Sequence, residues 1–434
     1  MRTGPRRVSG SIEHEREHDA VVIGAGLAGA AAAILLARAG WNVALVEKKR
    51  FPRRKVCGEC LAASNLPLLH ALGVGEAFEA RAGAELVRVT LMRGEASISA
   101  PLPPADHPRW TWGRALGRDS LDTLLVERAV AAGATVLQPA ALRAVSGGPG
   151  AWRCEVRPGE AVDTITLRAR VLIDAHGSWE SLPSERAPDA RPRRASDLLA
   201  FKAVFRNAAH TPGTIGVMAL DGGYGGTVLA DGGATTIAGC VRRDRLDALR
   251  AASPGVRAGD AFEAWLRGEC RGVRESMDGA VRDGAWLASG PLRPGIRVDD
   301  RSPDGNGVRT VAAFRIGNAG GEAHPILGEG MSMALQSAAL LCSHLLGTDA
   351  RTGASASLVA QRRYAADWRG EFAPRLRLAA AFAHLSMRPG ASAVMMSLVR
   401  AWPGILTHGA RRGGKVRLAI DPATLAFSRF RSDA

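Results

Sequence analysis

Hydrophobic positions near the N-terminus follow the order strand, glycine-rich turn, helix, strand. The apolar run at residues 20–23 predicts a buried strand, the alanine-rich residues 30–39 predict a helix, and residues 42–46 predict a second strand. The turn after the first strand reads Gly24-Ala25-Gly26-Leu27-Ala28-Gly29. This succession is typical of a βαβ unit in a parallel sheet, with a binding site at the turn.

The glycine-rich turn has the spacing of a dinucleotide-binding site. Gly24 permits a tight turn, Gly26 lets the backbone approach a diphosphate, and Gly29 lets the helix and the strand pack closely. Glu47 ends the second strand, where an acid that binds a ribose 2'-hydroxyl is expected. The pattern predicts FAD or NAD rather than NADP. The alternative is a glycine turn that only packs a helix on a sheet, and the strand, helix and acid together disfavour it.

The rest of the chain repeats the strand-to-glycine pattern twice and then changes character. Apolar strands lead into glycine-rich segments at residues 171–178 and 314–330, and an apolar helix is predicted at 331–346. Residues 197–300 alternate short strands with glycine turns, which predicts an antiparallel sheet. Residues 372–418 alternate apolar segments with arginines, which predicts helices that either pack on the core or lie at a membrane surface.

Composition limits the classes of protein. A chain of 434 residues that is 46% hydrophobic is long enough for two or three folded domains. The net charge of +15 leaves nucleic acid, an anionic membrane or compositional bias of the source genome as explanations. Aromatic residues make up only 5% and the arginines are dispersed, so we expect no nucleic-acid partner. Residues 1–18 lack the apolar core of a secretory signal, which predicts a cytoplasmic protein.

The cysteines do not indicate a metal site or a disulfide framework. Six cysteines in a chain of this length are expected to be thiols in a reducing compartment. Cys57 and Cys60 form a single C-x-x-C pair with no second pair to complete a zinc site. We therefore expect no metal.

The three glycine-rich segments together resemble the glutathione-reductase-type FAD fold shared by aromatic hydroxylases (flavin monooxygenases), flavin halogenases and geranylgeranyl reductases. The resemblance covers residues 18 to about 346. It implies an α/β protein with a Rossmann-like FAD-binding domain of the aromatic-hydroxylase type, an antiparallel β-sheet substrate domain and a helical C-terminal segment. The expected division is a basic tail at 1–17, an FAD-binding domain at 18–80, 111–180 and 300–346, a substrate domain at 81–110 and 181–299, and a helical segment at 347–434.

Four segments, two of them among the glycine-rich ones, resemble the parts of that family that contact FAD. Residues 51–59 resemble a P-x-x-K-x-C-G loop beside the flavin, and residues 117–125 resemble a helix whose arginine reaches the diphosphate. Residues 171–178 and 317–330 resemble two motifs along the ribityl chain and ring, with Asn318 and His176 where the family has aspartates. The expected cofactor-binding residues are Gly24, Gly26, Leu27, Ala28, Gly29, Glu47, Lys48, Lys55, Val56, Cys57, Arg118, Asp174, Gly177, Gly317, Asn318, Pro325, Gly328, Glu329, Gly330 and Met331.

A physical argument supports one of these positions independently of the family. A helix that begins near Gly330 directs backbone N–H groups and a partial positive charge at its ligand, which suits a flavin edge that becomes anionic on reduction. Tyr224 lies among glycines, so it is expected either to contact the flavin or a ligand, or to form a turn.

The resemblance implies an FAD-dependent oxidoreductase of secondary metabolism. The favoured reaction is hydroxylation of a hydrophobic aromatic or polyketide-type substrate by molecular oxygen through a flavin C4a-hydroperoxide. The alternative is an ene reductase for isoprenoid or polyketide double bonds, since the loop with Lys55 and Cys57 resembles geranylgeranyl reductases. Halogenation and a non-catalytic FAD protein are less favoured. A halogenase needs a lysine beside its pocket, and none occurs between Lys55 and Lys202.

Candidate catalytic residues are Cys57, His324 and Glu322. Cys57 is expected either to tune the flavin or touch substrate, or to be a small buried thiol. His324 and Glu322 are candidate bases for a phenol. Electrons are expected from transiently bound NAD(P)H or from a separate reductase or ferredoxin. The remaining partner under consideration is a membrane, in peripheral contact with the C-terminal helices.

Overall fold

The computed structural model describes residues 15–160, 163–178, 180, 182–183, 192–298, 301–303, 309–311, 313–412, 420–421 and 426–427. Most of the predicted tail at 1–17 lies outside these residues, as do parts of the C-terminal segment beyond residue 412. The first strand already begins at Glu15, inside the segment predicted as a tail.

The strands are β1 (Glu15–Ile23), β2 (Val43–Val46), β3 (Cys60–Leu61), β4 (Arg88–Arg93), β5 (Ala96–Pro101), β6 (Arg114–Ala115), β7 (Thr135–Leu137), β8 (Ala140–Gly148), β9 (Ala151–Pro158), β10 (Ile165–Asp174), β11 (Leu198–Arg206), β12 (Thr214–Leu220), β13 (Gly223–Leu229), β14 (Thr235–Arg242), β15 (Val281–Arg282), β16 (Leu287–Ser289), β17 (Gly295–Ile296), β18 (Arg301–Pro303), β19 (Arg309–Val311), β20 (Phe314–Arg315), β21 (Gly321–Glu322), β22 (Ile420–Asp421) and β23 (Ala426–Phe427).

The α-helices are α1 (Leu27–Arg38), α2 (Leu66–Leu72), α3 (Gly75–Arg81), α4 (Arg118–Ala131), α5 (Arg243–Ala252), α6 (Ala258–Glu269), α7 (Arg271–Ser276), α8 (Gly330–Gly347), α9 (Ala354–Ser386), α10 (Pro389–Ala401) and α11 (Gly404–Ala410). Among the described helices, none is both long and apolar enough to cross a bilayer.

The first sheet is the nucleotide-binding sheet that the N-terminal pattern predicts. Its order is β7-β2-β1-β10-β9-β8, with β20 also paired to β10. Strands β7, β2, β1, β10 and β20 are parallel, whereas β8 and β9 pair antiparallel at one side. Alternate residues of β1 face opposite layers, since side chains alternate along a strand: Ala20 and Val22 join the helices, and Val21 and Ile23 join β8 and β9.

The second sheet has the order β15-β11-β14-β13-β12-β4-β5, with β16 also paired to β11. Its neighbours are antiparallel except for β4 and β12, which run parallel. Helices α5 to α7 cover one face, where Phe201, Phe205, Phe262 and Trp265 form an aromatic core. Strands β4 and β5 come from residues 81–110 and the others from residues 181–299, so the sheet joins two segments that are separated in the chain by α4 and strands β6 to β10.

A buried ion pair links the loop before β3 to the second sheet. Glu59 and Lys202 have side chains only 2% and 1% exposed, and the Lys202 ammonium donates to the Glu59 carboxylate. The same carboxylate accepts the backbone N–H of Arg118 at 2.9 Å and the hydroxyl of Thr236. Glu59 has a φ of 59°, in the left-handed region that residues other than glycine rarely adopt. Three donors thus bind the Glu59 carboxylate, and two of them, from Lys202 and Thr236, hold the loop against the second sheet.

Replacing Lys202 with Met should destabilise the protein strongly, because the Glu59 carboxylate would stay buried without its cation. We expect a loss of roughly 3 to 5 kcal/mol in the free energy of unfolding, measured by urea titration. The double variant Glu59→Gln with Lys202→Met should recover most of that loss, since it removes both charges. Arg245→Met, which breaks the partly exposed pair with Glu269, should have a much smaller effect. A single Lys202→Met variant as stable as the Arg245→Met variant would contradict this account.

Candidate functional site

The turn between β1 and α1 depends on two glycines for packing. Gly24 has a φ of 102°, and a Cβ there would lie 2.5 Å from the carbonyl oxygen of Ala175. A Cβ at Gly29 would lie 1.8 Å from the carbonyl oxygen of Gly24. Any side chain at either position would therefore push α1 away from the parallel sheet.

Gly26 and Glu47 occupy the ligand side of the same turn. Gly26 is the N-cap of α1, and the nearest atom to a Cβ there would be Nη2 of Arg118 at 3.7 Å. The buried Glu47 carboxylate accepts the backbone N–H of Ala25 at 2.9 Å and that of Lys49 at 2.9 Å. The free helix N-terminus and the anchored acid are the parts that a diphosphate and a ribose require.

Arg118 and the loop at residues 51–59 meet beside this turn. The Arg118 guanidinium donates to both oxygens of Asp122 at 2.8 and 2.9 Å and is hydrogen-bonded to the Cys57 thiol. Burial opposes the charge on Arg118, but Asp122 and Cys57 outweigh it and raise the pKa of the guanidinium. Asp122 lies one helical turn after Arg118, a spacing that the sequence shows and that could have identified this partner.

Lys55 lies two residues before Cys57 in the same loop and is partly buried. Burial lowers the pKa of its ammonium to about 8, and the charge of Arg118 adds to the effect. A Cβ at Gly177, whose φ is 94°, would lie 3.4 Å from the Lys55 Nζ. The structure therefore brings the first glycine-rich turn, the 51–59 loop and the segment after β10 together, although they are far apart in sequence.

The segments after β10 and β20 contact one another. Asp174 accepts from the backbone N–H of His176 at 3.1 Å and pairs with its ring Nδ1 at 2.8 Å. The Asn318 side chain donates to the Ser178 hydroxyl at 2.9 Å. Asn318, which replaces the family's aspartate, thus connects the two motifs.

Several glycines near the start of α8 border open space. A Cβ at Gly58, Gly328 or Gly330 would meet no atom within 4 Å, and Gly328 has a φ of 66°. Helix α8 begins at Gly330, and its first buried side chain is Met331. Glu329 precedes it, buried and 3.9 Å from Arg375. An 18-residue helix therefore points its N-terminus at space bordered by glycines.

Of the remaining residues predicted to bind the cofactor, some lie in the core and others lie nearer the surface. Gly317 has a φ of 59° and packs closely on Ala28, and Leu27 is buried in the core. Lys48 is partly exposed and pairs with Glu180. Val56 packs against the cluster that contains Tyr224, and Pro325 begins the short helical turn that leads to Gly328.

A cavity of about 530 Å³ lies at the carboxyl ends of β1 and β2. Gly24 and Glu47 contribute to its wall. Its basic wall residues are Lys48, Lys49, Arg50, Arg53, Arg54 and Lys55, together with His176. This cavity suits an anionic ligand at the place where open parallel sheets bind nucleotides.

A second, smaller cavity is mainly apolar and lies beside strand β12 of the second sheet. Leu61, Leu86, Leu102, Trp112 and Ile215 line it, and Gly328 closes one side. It therefore adjoins the space in front of α8.

Tyr224 and His324 form a buried polar pair beside the apolar layer of the second sheet. Tyr224 lies within β13, not in a turn, and its hydroxyl is 3.5 Å from the His324 Nδ1 and hydrogen-bonded to Cys240. Burial, reinforced by the charge of His384, lowers the pKa of His324 to about 4. The His384 ring lies 5.5 Å away on α9. No local pattern pointed to His384, because it lies 60 residues after His324 (384 minus 324), in the predicted C-terminal helical segment.

Glu322 faces basic groups. Its carboxylate accepts the backbone N–H of Arg293 at 3.1 Å and lies 3.5 Å from the Arg297 guanidinium. Burial raises the pKa of Glu322 despite Arg297.

Comparison with known proteins agrees with these features. Residues 17–200 match the family model described as FAD binding domain. Menaquinone reductase of Mycobacterium tuberculosis is 36% identical over 119 residues, which cover 27% of this chain and 28% of that protein. The chain thus matches little more than a quarter of that relative's length.

Two solved structures are similar over most of the chain. The myxobacterial chondrochloren halogenase CndH has a TM-score of 0.71 at 19% identity, covering 92% of this chain and 91% of its own. PqsL of Pseudomonas aeruginosa, described as "a probable FAD-dependent monooxygenase", has a TM-score of 0.64 at 17% identity, covering 85% and 95%. At these identities the likeness concerns the fold.

Residues 17–200 therefore form an FAD-binding domain, and the chain has the fold of FAD-dependent oxidoreductases whose solved structures include a halogenase and a probable monooxygenase. The expectations of the fold class, of this group and of FAD as cofactor are confirmed. The individual cofactor-binding and catalytic residues and the domain boundaries stay predictions. The open glycines, the free helix N-termini and the basic cavity fit FAD.

Gly26→Val should abolish flavin binding without unfolding the chain. Gly26 has a φ of −71°, which valine adopts, and the nearest atom to a Cβ there would be 3.7 Å away, an ordinary van der Waals distance, so the protein itself tolerates a side chain. The approach of a diphosphate to the backbone would be blocked. The ratio of flavin to protein absorbance after purification, with circular dichroism for folding, measures the effect.

Two variants serve as controls for that measurement. Gly268→Val adds the same side chain at a glycine in α6 with no atom within 4 Å of the new Cβ, so flavin content should stay normal. Cys57→Ala removes a side chain at the site without blocking the backbone, and should keep the flavin while changing turnover. A fully yellow Gly26→Val protein would overturn the assignment of the turn.

His324 should make the protein less stable in acid. With a pKa of about 4 in the folded chain against an ordinary 6.5, folding favours the neutral ring, so stability is lost as the pH falls from 6.5 to 4. His324→Gln should remove up to about 3 kcal/mol of that pH dependence, measured by urea unfolding at a series of pH values. His384→Gln, at an exposed position, should change the pH dependence of stability less than His324→Gln does. Parallel pH profiles for wild type and His324→Gln would argue against a buried neutral His324.

Proposed function

We propose that the protein is an FAD-dependent monooxygenase that hydroxylates a hydrophobic aromatic or polyketide-type substrate. The observation that carries the proposal is the apolar cavity beside the second sheet, bordered by Gly328 two residues before α8. When bound, FAD supplies electron transfer to molecular oxygen, with one oxygen atom going to the substrate and one to water.

The cavity supports a hydrophobic substrate through its lining. Leucine, isoleucine and tryptophan side chains surround it, so an apolar ring or chain gains by leaving water there. A substrate that fills this apolar lining would also exclude water and so limit side reactions with water there. The small size of this cavity in the structure implies that the substrate displaces side chains as it enters.

His324 is the proposed base of the reaction. Its low pKa keeps the ring neutral at physiological pH, so one ring nitrogen can accept a proton from a phenol. The Tyr224 hydroxyl near Nδ1 helps to orient the ring. Glu322 is the second candidate, although its carboxylate is held by Arg293 and Arg297 and its role as base requires it to turn away from them.

Cys57 is proposed to act beside the flavin. Its thiol is hydrogen-bonded to Arg118 and is the acceptor for the backbone N–H of Glu59 at 3.4 Å. These contacts hold the sulfur next to Gly58, which borders open space. The Cys57 sulfur therefore has a defined position from which to influence the flavin ring.

An ene reductase is the second candidate. The observation that favours it is the similarity to menaquinone reductase, a protein named for a quinone with an isoprenoid chain, together with the Lys55 and Cys57 loop. A halogenase is less favoured despite the CndH fold. Lys202 does not supply the missing lysine, because its ammonium is buried against Glu59.

The electron donor and cellular location are further parts of the proposal. NAD(P)H binding transiently on the FAD domain, or a separate reductase or ferredoxin, is proposed to supply the electrons. We also propose that the protein works in the cytoplasm, in peripheral contact with a membrane.

Product analysis under isotopically labelled oxygen gas tests the proposed reaction. The holoenzyme, reduced by NADPH or dithionite, is incubated with a panel of alkylphenols and with an isoprenoid quinone, and the products are analysed by mass spectrometry. We expect one labelled oxygen atom in a phenol product. Addition of two hydrogens to the isoprenoid chain without label would support the reductase, and incorporation of added bromide would support a halogenase. Either of these results in place of labelled oxygen would overturn the monooxygenase proposal.

A further inference from the structure

Helix α10 has an exposed apolar face. Val394 and Leu398 lie four residues apart, on one side of the helix, and Trp402 follows at the same spacing just after its end. Their exposed fractions are 60%, 56% and 71%. Together with Leu385 near the end of α9, they are among the most exposed large hydrophobic residues of the described chain.

The opposite face of α10 is also apolar, and it is already packed. Met396 and Val399 are buried against Leu91 and Ala219 of the second sheet. Arg400 is the only charged residue of the helix. A surface helix of a water-soluble protein normally turns a charged face to solvent, whereas a helix that is apolar on all sides is normally buried in protein or lipid.

The surroundings of this face are strongly basic. From residue 372 to residue 412 the chain contains six arginines and no aspartate or glutamate. Arg388 and Arg400 lie next to and within α10, and Arg411 and Arg412 follow α11; all four are exposed. Such a combination of apolar side chains and arginines complements a surface with a hydrocarbon interior and anionic headgroups.

We propose that Val394, Leu398 and Trp402 form a docking face for an anionic lipid bilayer, with Arg388, Arg400, Arg411 and Arg412 at the headgroups. The indole of Trp402 suits the boundary between hydrocarbon and water, since it has an apolar body and one N–H group. The net charge of +15 adds long-range attraction to the same surface.

Helix α11, which follows the docking face in the chain, packs beside the wall of the apolar cavity. Leu406 and Ala410 of α11 pack against the cluster that includes Leu86 and Leu102 of the cavity wall. We therefore place the entry of a hydrophobic substrate from the bilayer on this side of the protein. The docking face assigns residues to the membrane contact of the proposed function, and the entry of substrate rests on the proposed reaction. Vesicle binding is measured without turnover, so it tests the face separately from the reaction.

Vesicle flotation tests the docking face directly. The purified holoprotein is mixed with vesicles of phosphatidylcholine and phosphatidylglycerol in equal parts, or of phosphatidylcholine alone. We expect binding to the anionic vesicles that weakens as salt is added, and weaker binding to neutral ones. The double variant Val394→Glu with Leu398→Glu should bind the anionic vesicles at least about tenfold more weakly, because two side chains no longer partition into hydrocarbon.

Matched controls separate this face from general hydrophobicity and charge. Val130 and Val281 are 56% and 62% exposed on other elements, so Val130→Glu with Val281→Glu adds the same charge without changing the docking face. This variant should bind like wild type, or only slightly more weakly. Arg400→Gln and Arg411→Gln should each weaken binding about fivefold and reduce its salt dependence.

Three outcomes would overturn the proposal. The first is no binding of the wild type to anionic vesicles, and the second is equal weakening by the two double-glutamate variants. The third is a self-association of the wild type, seen by sedimentation without lipid, that Val394→Glu with Leu398→Glu abolishes; that result would assign the face to a second copy of the chain. Because all of these positions are exposed, circular dichroism and flavin content should match wild type throughout.

Discussion

The buried carboxylate of Glu59 is the interaction on which the arrangement of the site depends. It receives the ammonium of Lys202 and the hydroxyl of Thr236 from the second sheet, and the backbone N–H of Arg118 from the start of α4. A charge buried to this degree is tolerated only with such partners, so the loop and the sheet must come together for the chain to fold. The same contact leaves Cys57 next to Arg118 and Gly58 next to open space.

The site separates charge from apolar surface. Basic side chains and two helix N-termini surround the places for a diphosphate and a flavin edge, while leucine, isoleucine and tryptophan line the cavity on the far side of Gly328. His324 stays neutral because burial and the neighbouring His384 disfavour a proton on it. One end of the site is thus suited to an anionic cofactor, and the other to a hydrophobic substrate.

The C-terminal helices extend that apolar environment to the molecular surface. Helix α10 packs on the second sheet with one face and exposes valine, leucine and tryptophan on the other. The absence of acidic residues from 372 to 412 makes this surface complementary to anionic lipid. A lipid-facing surface next to an apolar cavity accords with a substrate of low solubility in water.

The sequence by itself determined the features that depend on neighbouring residues. The β1-turn-α1 pattern, Glu47 at the end of β2 and the strands around Phe201 follow from local periodicity and glycine spacing, which also predict a dinucleotide ligand, FAD or NAD. The choice of FAD came from the resemblance of three separate segments to one family, and the family-model match agrees with it. Even the Arg118 and Asp122 pair follows from helical spacing, although Asp122 was not assigned a role.

Tertiary structure alone decided the contacts between distant segments. Strand β4 pairs with β12, Lys202 with Glu59, and Tyr224 with His324, each across a long stretch of chain. Tyr224 lies within a strand although its glycine neighbours also suited a turn, because β12 and β14 pair with it on both sides. The side of α10 that faces solvent was likewise set by packing, since both of its faces are apolar. Such choices depend on which surfaces exclude water together, and local patterns carry no information about that.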